Sequence, residues 1–361
     1  MSLHNFFIFT IFLLTAVGLI MVASASGFQS QFSLGSSLSL FSHQFLYGFL
    51  GGLLGFLVAY RINPFYLKKF SVLFLFVALI FLGLVLIPSI GIEHGGSRRW
   101  IDIAGFSFQP SEIGKLVLII YAASWLSSHR KEITSFKKGF LPFLALSIVI
   151  PFLILAEPNI SNFVISFLLI IILLFTAGAK FFHIASLLLV ALLCVTLALF
   201  IFPARLSRIK TFLNPHTDTK GSSYQINQSL IAIGSGGFLG KGLGQSAAKK
   251  GLLPEPSGDA IFAIISEELG FIGAGSIILL YLLLAAEGFI IAVKTRDQFS
   301  QYFVLGFVSL VTLQAFINIS AVSGLMPLTG VTLPFISYGS TSLIALLTAS
   351  GVMARMAKEV K

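Results

Sequence analysis

Apolar runs long enough to cross a bilayer recur along this 361-residue chain, and they leave it few ways to fold. A hydrocarbon layer ~30 Å thick requires about 17–25 apolar residues of helix. Such runs lie near residues 6–26, 42–60, 70–90, 112–127, 139–156, 160–177, 182–203, 260–293, 301–322 and 332–355. The chain is 57% hydrophobic and only 10% charged, with a mean hydropathy of +0.99, which excludes a water-soluble core. The expected fold is therefore an all-α polytopic membrane protein of about ten transmembrane helices, a single transmembrane domain over residues 1–361.

An even number of spans places both termini on one side, and Lys/Arg in the short loops decides which. Thirteen lie on one side, among them Arg61, Lys68, Arg130, Lys137, Lys180, Lys294 and Arg355, whereas the short loops opposite hold only Arg98 and Arg99. Both termini are expected to be cytoplasmic. The first apolar run lacks a basic leader and is read as span one rather than a cleaved signal.

Between spans seven and eight stand 54 mostly polar residues, 205–258, with seven Lys/Arg and two acids. This large loop falls on the outer face, and long loops weigh little in the orientation rule. It ends on Asp259, directly before apolar sequence resumes. A basic loop closing on a lone carboxylate at a membrane surface suggests chemistry on an anionic substrate.

Several chemistries are excluded. The lone cysteine, Cys194, permits neither an intramolecular disulfide nor a thiolate cage, and the six histidines show no paired metal spacing. The glycine-rich stretch from Gly234 to Gly244 lacks the Ser/Thr that a phosphate loop needs after Lys241, and no strand precedes Gly242-Leu-Gly-Gln-Ser-Ala247. These glycines suit irregular backbone turning closely at the membrane surface. Basic charge spread over inner loops and the outer segment does not point to nucleic acid. Without ATP, bond formation outside the cell needs a pre-activated substrate, which a lipid-linked sugar diphosphate provides. Cations would stabilise the developing diphosphate, and a carboxylate would take the proton of an attacking sugar hydroxyl.

Gly95-Gly-Ser-Arg-Arg-Trp-Ile101, Gln109-Pro-Ser-Glu-Ile-Gly-Lys115, Tyr224-Gln225, Leu253-Pro-Glu-Pro-Ser-Gly-Asp259, Glu267-Glu-Leu-Gly270 and Leu333-Pro-Phe-Ile-Ser-Tyr-Gly339 together resemble the SEDS family of bacterial shape, elongation, division and sporulation proteins. The likeness runs from about residue 90 to the C-terminus in the family's order and leans toward its FtsW, division-type branch. It implies a ten-helix SEDS-type fold and a peptidoglycan glycosyltransferase polymerising lipid II at the outer face of the cytoplasmic membrane during septal wall synthesis. It also implies membrane lipids around the chain, a class B penicillin-binding protein transpeptidase and other divisome proteins as partners. A lipid II flippase and a non-catalytic division scaffold are the rival readings.

Carried over by motif, the family's essential acid falls on Asp259, as general base. Spacing alone leaves a helix N-cap equally open. The expected substrate-binding set is Arg98, Arg99, Glu112, Lys115, Arg205, Lys249 and Glu267. Glu112 and Lys115 share a helix face where charges usually meet a bundle interior or a watery cavity. For the adjacent Glu267 and Glu268, one is expected at the site and the other elsewhere. A divalent cation, Mg2+ or Mn2+, is compatible with a diphosphate, although no carboxylate cluster announces one. The chain departs from the family at Ser257, Gly258 and Ala260 around the acid, at Asn159 where the family carries Asp, and at Ser340 where glycine is usual.

Overall fold

The computed structural model describes residues 2–34, 38–94, 96–103, 106–213 and 222–359. Residues 214–221 of the large loop and Lys361 therefore lie outside the described residues. Along the chain run α1 (Leu3–Leu34), α2 (Ser39–Arg61), α3 (Ser71–Val85), α4 (Pro110–His129), α5 (Phe136–Ala156), α6 (Ile160–Thr176), α7 (Phe181–Ile201), α8 (Pro203–Leu213), α9 (Ser222–Ser235), α10 (Ile261–Lys294), α11 (Gln298–Val322) and α12 (Ser340–Lys358).

Seven helices, α1, α2, α5, α7, α10, α11 and α12, are long and apolar enough to cross a membrane. The apolar helices α3 and α6 have 15 and 17 residues, or about 22–26 Å at 1.5 Å per residue, short of the hydrocarbon thickness. Each sequence run contains a helix, with two changes of boundary, the first at run 70–90, whose helix stops at Val85. The run 332–355 becomes helical only at Ser340; before it the backbone is non-helical at Phe335, with φ +64°, directly after Pro334. Hydropathy finds segments that tolerate lipid, whereas backbone conformation here decides where helix can begin.

The chain divides into two compact units. The first comprises Met1–Leu54, Pro203–Ala286 and Val311–Leu347, and the second Gly55–Phe202, Glu287–Leu310 and Thr348–Lys361.

In the first unit, residues 325–339 form an irregular segment closed in by helices. Buried backbone of this kind must find partners, and polar side chains supply them. Asn318 Nδ2 on α11 donates to the Val331 carbonyl at 2.7 Å, and Gln314 Nε2 donates to the Thr332 carbonyl at 3.2 Å. Gln44 on α2 accepts from the Gly339 amide at 3.1 Å and donates to the Ser337 carbonyl at 3.4 Å.

In the second unit, α3 packs along α4 and α5 against α6. A polar tie crosses this apolar packing. Lys115 Nζ sits 2.7 Å from Glu112 Oε1 and donates to Asn162 Oδ1 at 3.1 Å, with both charges buried. Between α3 and α4 the helical plan acquires a small antiparallel sheet, β1 (Gly91–His94), β2 (Ser97–Ile103) and β3 (Phe106–Phe108), in that order. Helix α7 leaves Phe181, Phe182, Leu192 and Phe200 exposed. For a span, that is the surface that meets lipid.

Candidate active site

Asp259 is the penultimate residue before α10, at the end of a strap running from Leu253. The strap is held by its own main chain. Three successive carbonyls accept hydrogen bonds: Ser257 from the Tyr338 amide at 2.8 Å, Gly258 from Ser337 Oγ at 2.8 Å, and Asp259 from Asn318 Nδ2 at 2.8 Å. Asn318 thus ties the acid to residue 331 of the irregular segment. No first-turn amide of α10 donates to the Asp259 carboxylate among the described residues. Its Oδ1 instead accepts from Gln225 Nε2 on α9 at 3.4 Å.

The carboxyl is half-buried and pushed up to about 6, first by burial and then by the charge of Glu255. Arg208 on α8, its own amide and Gln225 pull the other way. The outcome is a carboxylate ionised at neutral pH yet basic enough to accept a proton, as a general base requires. Arg208 Nη1 donates to the Leu328 carbonyl at 3.4 Å. Gly330, two residues on, has a φ of +66°, a backbone conformation that costs a side-chain-bearing residue but not glycine.

The residues expected to bind substrate fall into distinct settings. Arg205 lies three residues before Arg208, and burial followed by the Arg208 charge pulls its guanidinium below the usual value. Lys249 and Glu267 belong to a clasp. Helix α10 is broken at Gly270, with φ +66° and ψ −164°, so main-chain groups on either side lose their helical partners. The glycine-rich loop replaces them. Lys241 and Gly242 amides donate to the Glu267 and Glu268 carbonyls at 3.0 Å, and the Phe271 amide donates to the Gly237 carbonyl at 2.9 Å. A Cβ on Gly240 would stand 2.2 Å from the Glu268 carbonyl oxygen, and one on Gly270 2.3 Å from the Gly240 nitrogen.

Both acids of the adjacent pair serve this loop. Glu267 binds Lys241 at 2.7 Å and accepts from Ser246 Oγ and the Ala247 and Ala248 amides. Glu268 binds Lys249 at 2.7 Å and accepts from Ser24 Oγ and the Ser246 amide. The division of labour expected between them does not occur, because the loop folds back far enough to reach both. Lys249 and Glu267 are thus neutralised within the protein.

Arg98, Arg99, Glu112 and Lys115 belong to the second unit. Arg98 pairs with Glu93 at 3.2 Å in the β1–β2 hairpin. Arg99 donates to the Glu157 and Pro158 carbonyls at 3.3 and 2.5 Å, fixing the turn between α5 and α6. The Glu157 carboxyl in that turn is fully buried with neither oxygen hydrogen-bonded, and burial pushes it up to about 8 against the pull of Arg99. Arg208 and Gln225, the side chains that favour the ionised form of Asp259, were not in the expected site set: Arg208 counted among the outer-face cations behind Arg98, Arg205 and Lys249, and Gln225 only as part of a motif. Their signal was the spacing of Arg205 and Arg208 on one turn of helix and the Tyr224-Gln225 pair.

These features define a polytopic helical membrane protein that carries a tuned acid on a main-chain-anchored strap at the mouth of a helix. The family model described as "Cell cycle protein", that of FtsW, RodA and SpoVE, matches residues 4–361, and the chain belongs to this family. It is 40% identical to Stage V sporulation protein E of Bacillus subtilis, covering 97% of this chain and 95% of that one. It is 37% identical to a probable peptidoglycan glycosyltransferase FtsW of Trichlorobacter lovleyi, over 96% of this chain and 91% of that protein. Among solved structures, a Thermus thermophilus rod shape determining protein RodA shares the fold with a TM-score of 0.72 at 24% identity, covering 98% and 96% of the two chains. A chain from a structure titled for the coordination of polymerization and crosslinking by a peptidoglycan synthase complex has a TM-score of 0.79 at 23% identity, covering 98% and 97%.

Proposed function

We propose that this protein is a peptidoglycan glycosyltransferase of the cytoplasmic membrane that polymerises lipid II on the outer face, with Asp259 as general base. The observation that carries the reading is the Asp259 carboxyl, held by its strap and by Gln225 on Oδ1 and raised to about 6. Family membership and curated relatives named as probable peptidoglycan glycosyltransferases supply the reaction class. Asp259 takes the proton of the acceptor sugar hydroxyl as that oxygen attacks the anomeric carbon of the lipid-linked donor. The bond from that carbon to the diphosphate breaks, and undecaprenyl diphosphate leaves with the electron pair. Proton transfer of this kind contributes about 10²–10⁴ in rate.

Among the described residues no group of three or more His, Cys, Asp or Glu is placed to hold a metal. A diphosphate substrate is itself compatible with Mg2+ or Mn2+. A class B penicillin-binding protein, which crosslinks strands as they emerge, is the partner this activity calls for; it is in keeping with the synthase complex named for the similar structure.

The test is polymerisation of purified lipid II in liposomes by wild type and Asp259→Asn, with and without the cognate transpeptidase. Glycan strands from wild type alone are expected. Strands of equal yield from the variant would remove Asp259 from the chemistry, and lipid II crossing the bilayer without polymer would replace the transferase with a flippase.

A further inference from the structure

A Cβ built on Gly330 would lie 3.8 Å from Arg208 Nη1 and also 3.8 Å from Asp259 Oδ2. The cation and the acid therefore converge on the same side of one residue, no farther apart than twice that distance. They act on each other through charge, whereas Gln225 holds Asp259 by a hydrogen bond. Oδ1 is engaged by Gln225, which leaves Oδ2 as the oxygen facing this gap.

An oxygen atom that donates to one group and accepts from the other, at hydrogen bonds of ~2.8 Å, needs the two to stand about 4.6–5.6 Å apart. A separation of that size lies within the bound set by the two contacts at Gly330. We infer that Arg208 and Asp259 grip a single sugar hydroxyl between them, Asp259 Oδ2 accepting its proton and Arg208 donating to its oxygen.

This rests on Asp259 being the general base. The hydroxyl proton passes to Oδ2 ahead of full bond formation to the anomeric carbon. The partial negative charge this leaves on the attacking oxygen, before its lone pair becomes the new bond, is stabilised by a guanidinium already oriented through Leu328. Arg208 is in this account a catalytic residue, and the cation of choice at the site is Arg208 rather than Arg205 or Lys249. Gly330 has a second role besides its positive φ, since any side chain would occupy the gap.

The experiment is steady-state polymerisation of lipid II by full-length protein in liposomes, with wild type, Arg208→Gln, Arg208→Lys and Gly330→Ala compared across pH 5–9. Melting of each variant is followed to separate folding from chemistry. Arg208→Gln is expected to lower kcat by about 10²–10³, the usual effect of removing a donor to a developing oxyanion, with KM within about twofold. Its acid limb should move to higher pH, because Arg208 holds the Asp259 carboxyl down. Arg208→Lys should recover part of kcat, and it gives the same comparison if the glutamine variant unfolds. Gly330→Ala should lose kcat in the same way.

A rise in KM for lipid II with kcat and the pH limb unchanged would give Arg208 to the diphosphate and overturn the inference. Full activity in Arg208→Gln would overturn it as well. Failure of the underlying reading shows separately, as retained activity in Asp259→Asn.

Discussion

The position that makes Asp259 useful should also make it a weak point of the fold. Its carboxyl is raised from 3.8 to about 6, first by burial and then by Glu255. The folded protein thus holds this proton more tightly than the unfolded chain does, and ionisation costs stability. The cost is absent below pH 3.8, grows through the interval, and is complete above about 6. A shift of this size corresponds to at most about 3 kcal/mol, less in proportion to the side chain's contact with water. Asparagine carries no charge and keeps an oxygen for Gln225. Asp259→Asn should therefore melt above wild type at pH 8, by a margin that closes toward pH 4, while losing polymerisation by about 10²–10⁴. Thermal unfolding of both proteins in one detergent at pH 4, 6 and 8, beside the activity assay, measures both quantities. A variant that melts at or below the wild-type temperature at pH 8 would refute the claim that the ionised acid is held at a cost.

Other outcomes follow from the same geometry. Wild-type kcat/KM should fall about tenfold per pH unit below about 6, and Glu255→Gln should move that limb to lower pH, since the Glu255 charge is one of the groups raising it. In the clasp, Lys249→Met strands the buried Glu268 carboxylate at a cost of about 3–5 kcal/mol. The double variant Lys249→Met/Glu268→Gln should recover most of that, read as hydrogen-exchange protection of residues 241–249; equal losses in single and double variants would dissolve the pairing. For Glu157, raised to about 8 by burial, stability should decline as pH climbs from about 4.5 through 8. Glu157→Gln should abolish that decline in melting scans without changing the melting temperature at pH 4.

Much of the architecture was legible because hydropathy reports directly on lipid contact, and every apolar run contains a helix. Backbone conformation within an apolar run is a separate matter. Residues 332–339 are apolar enough to pass as span, yet the backbone turns out of helix at Pro334 and Phe335, and the polar groups of Asn318, Gln314 and Gln44 that bond this segment come from other elements. The motif drew attention to Asp259, and the fold supplies the strap and the Gln225 hydrogen bond that hold it. The partners of Glu267 and Glu268 were not legible, because adjacency on a helix suggests divergent directions, whereas one loop, 26 and 19 residues away in sequence, supplies Lys241 to the first and Lys249 to the second. Choosing among the basic residues of the large loop needed distances, and only the fold shows that Arg208 faces the acid across Gly330. The sheet from Gly91 to Phe108 also escaped notice, since its strands are short and sit between long helices.

The strap grips its neighbours with carbonyls at 257, 258 and 259, and a carbonyl is common to every amino acid. The placement of the acid therefore does not depend on which side chains stand at positions 257, 258 and 260, here serine, glycine and alanine. An anchorage of this kind tolerates a change of letters around a carboxylate while its location stays fixed.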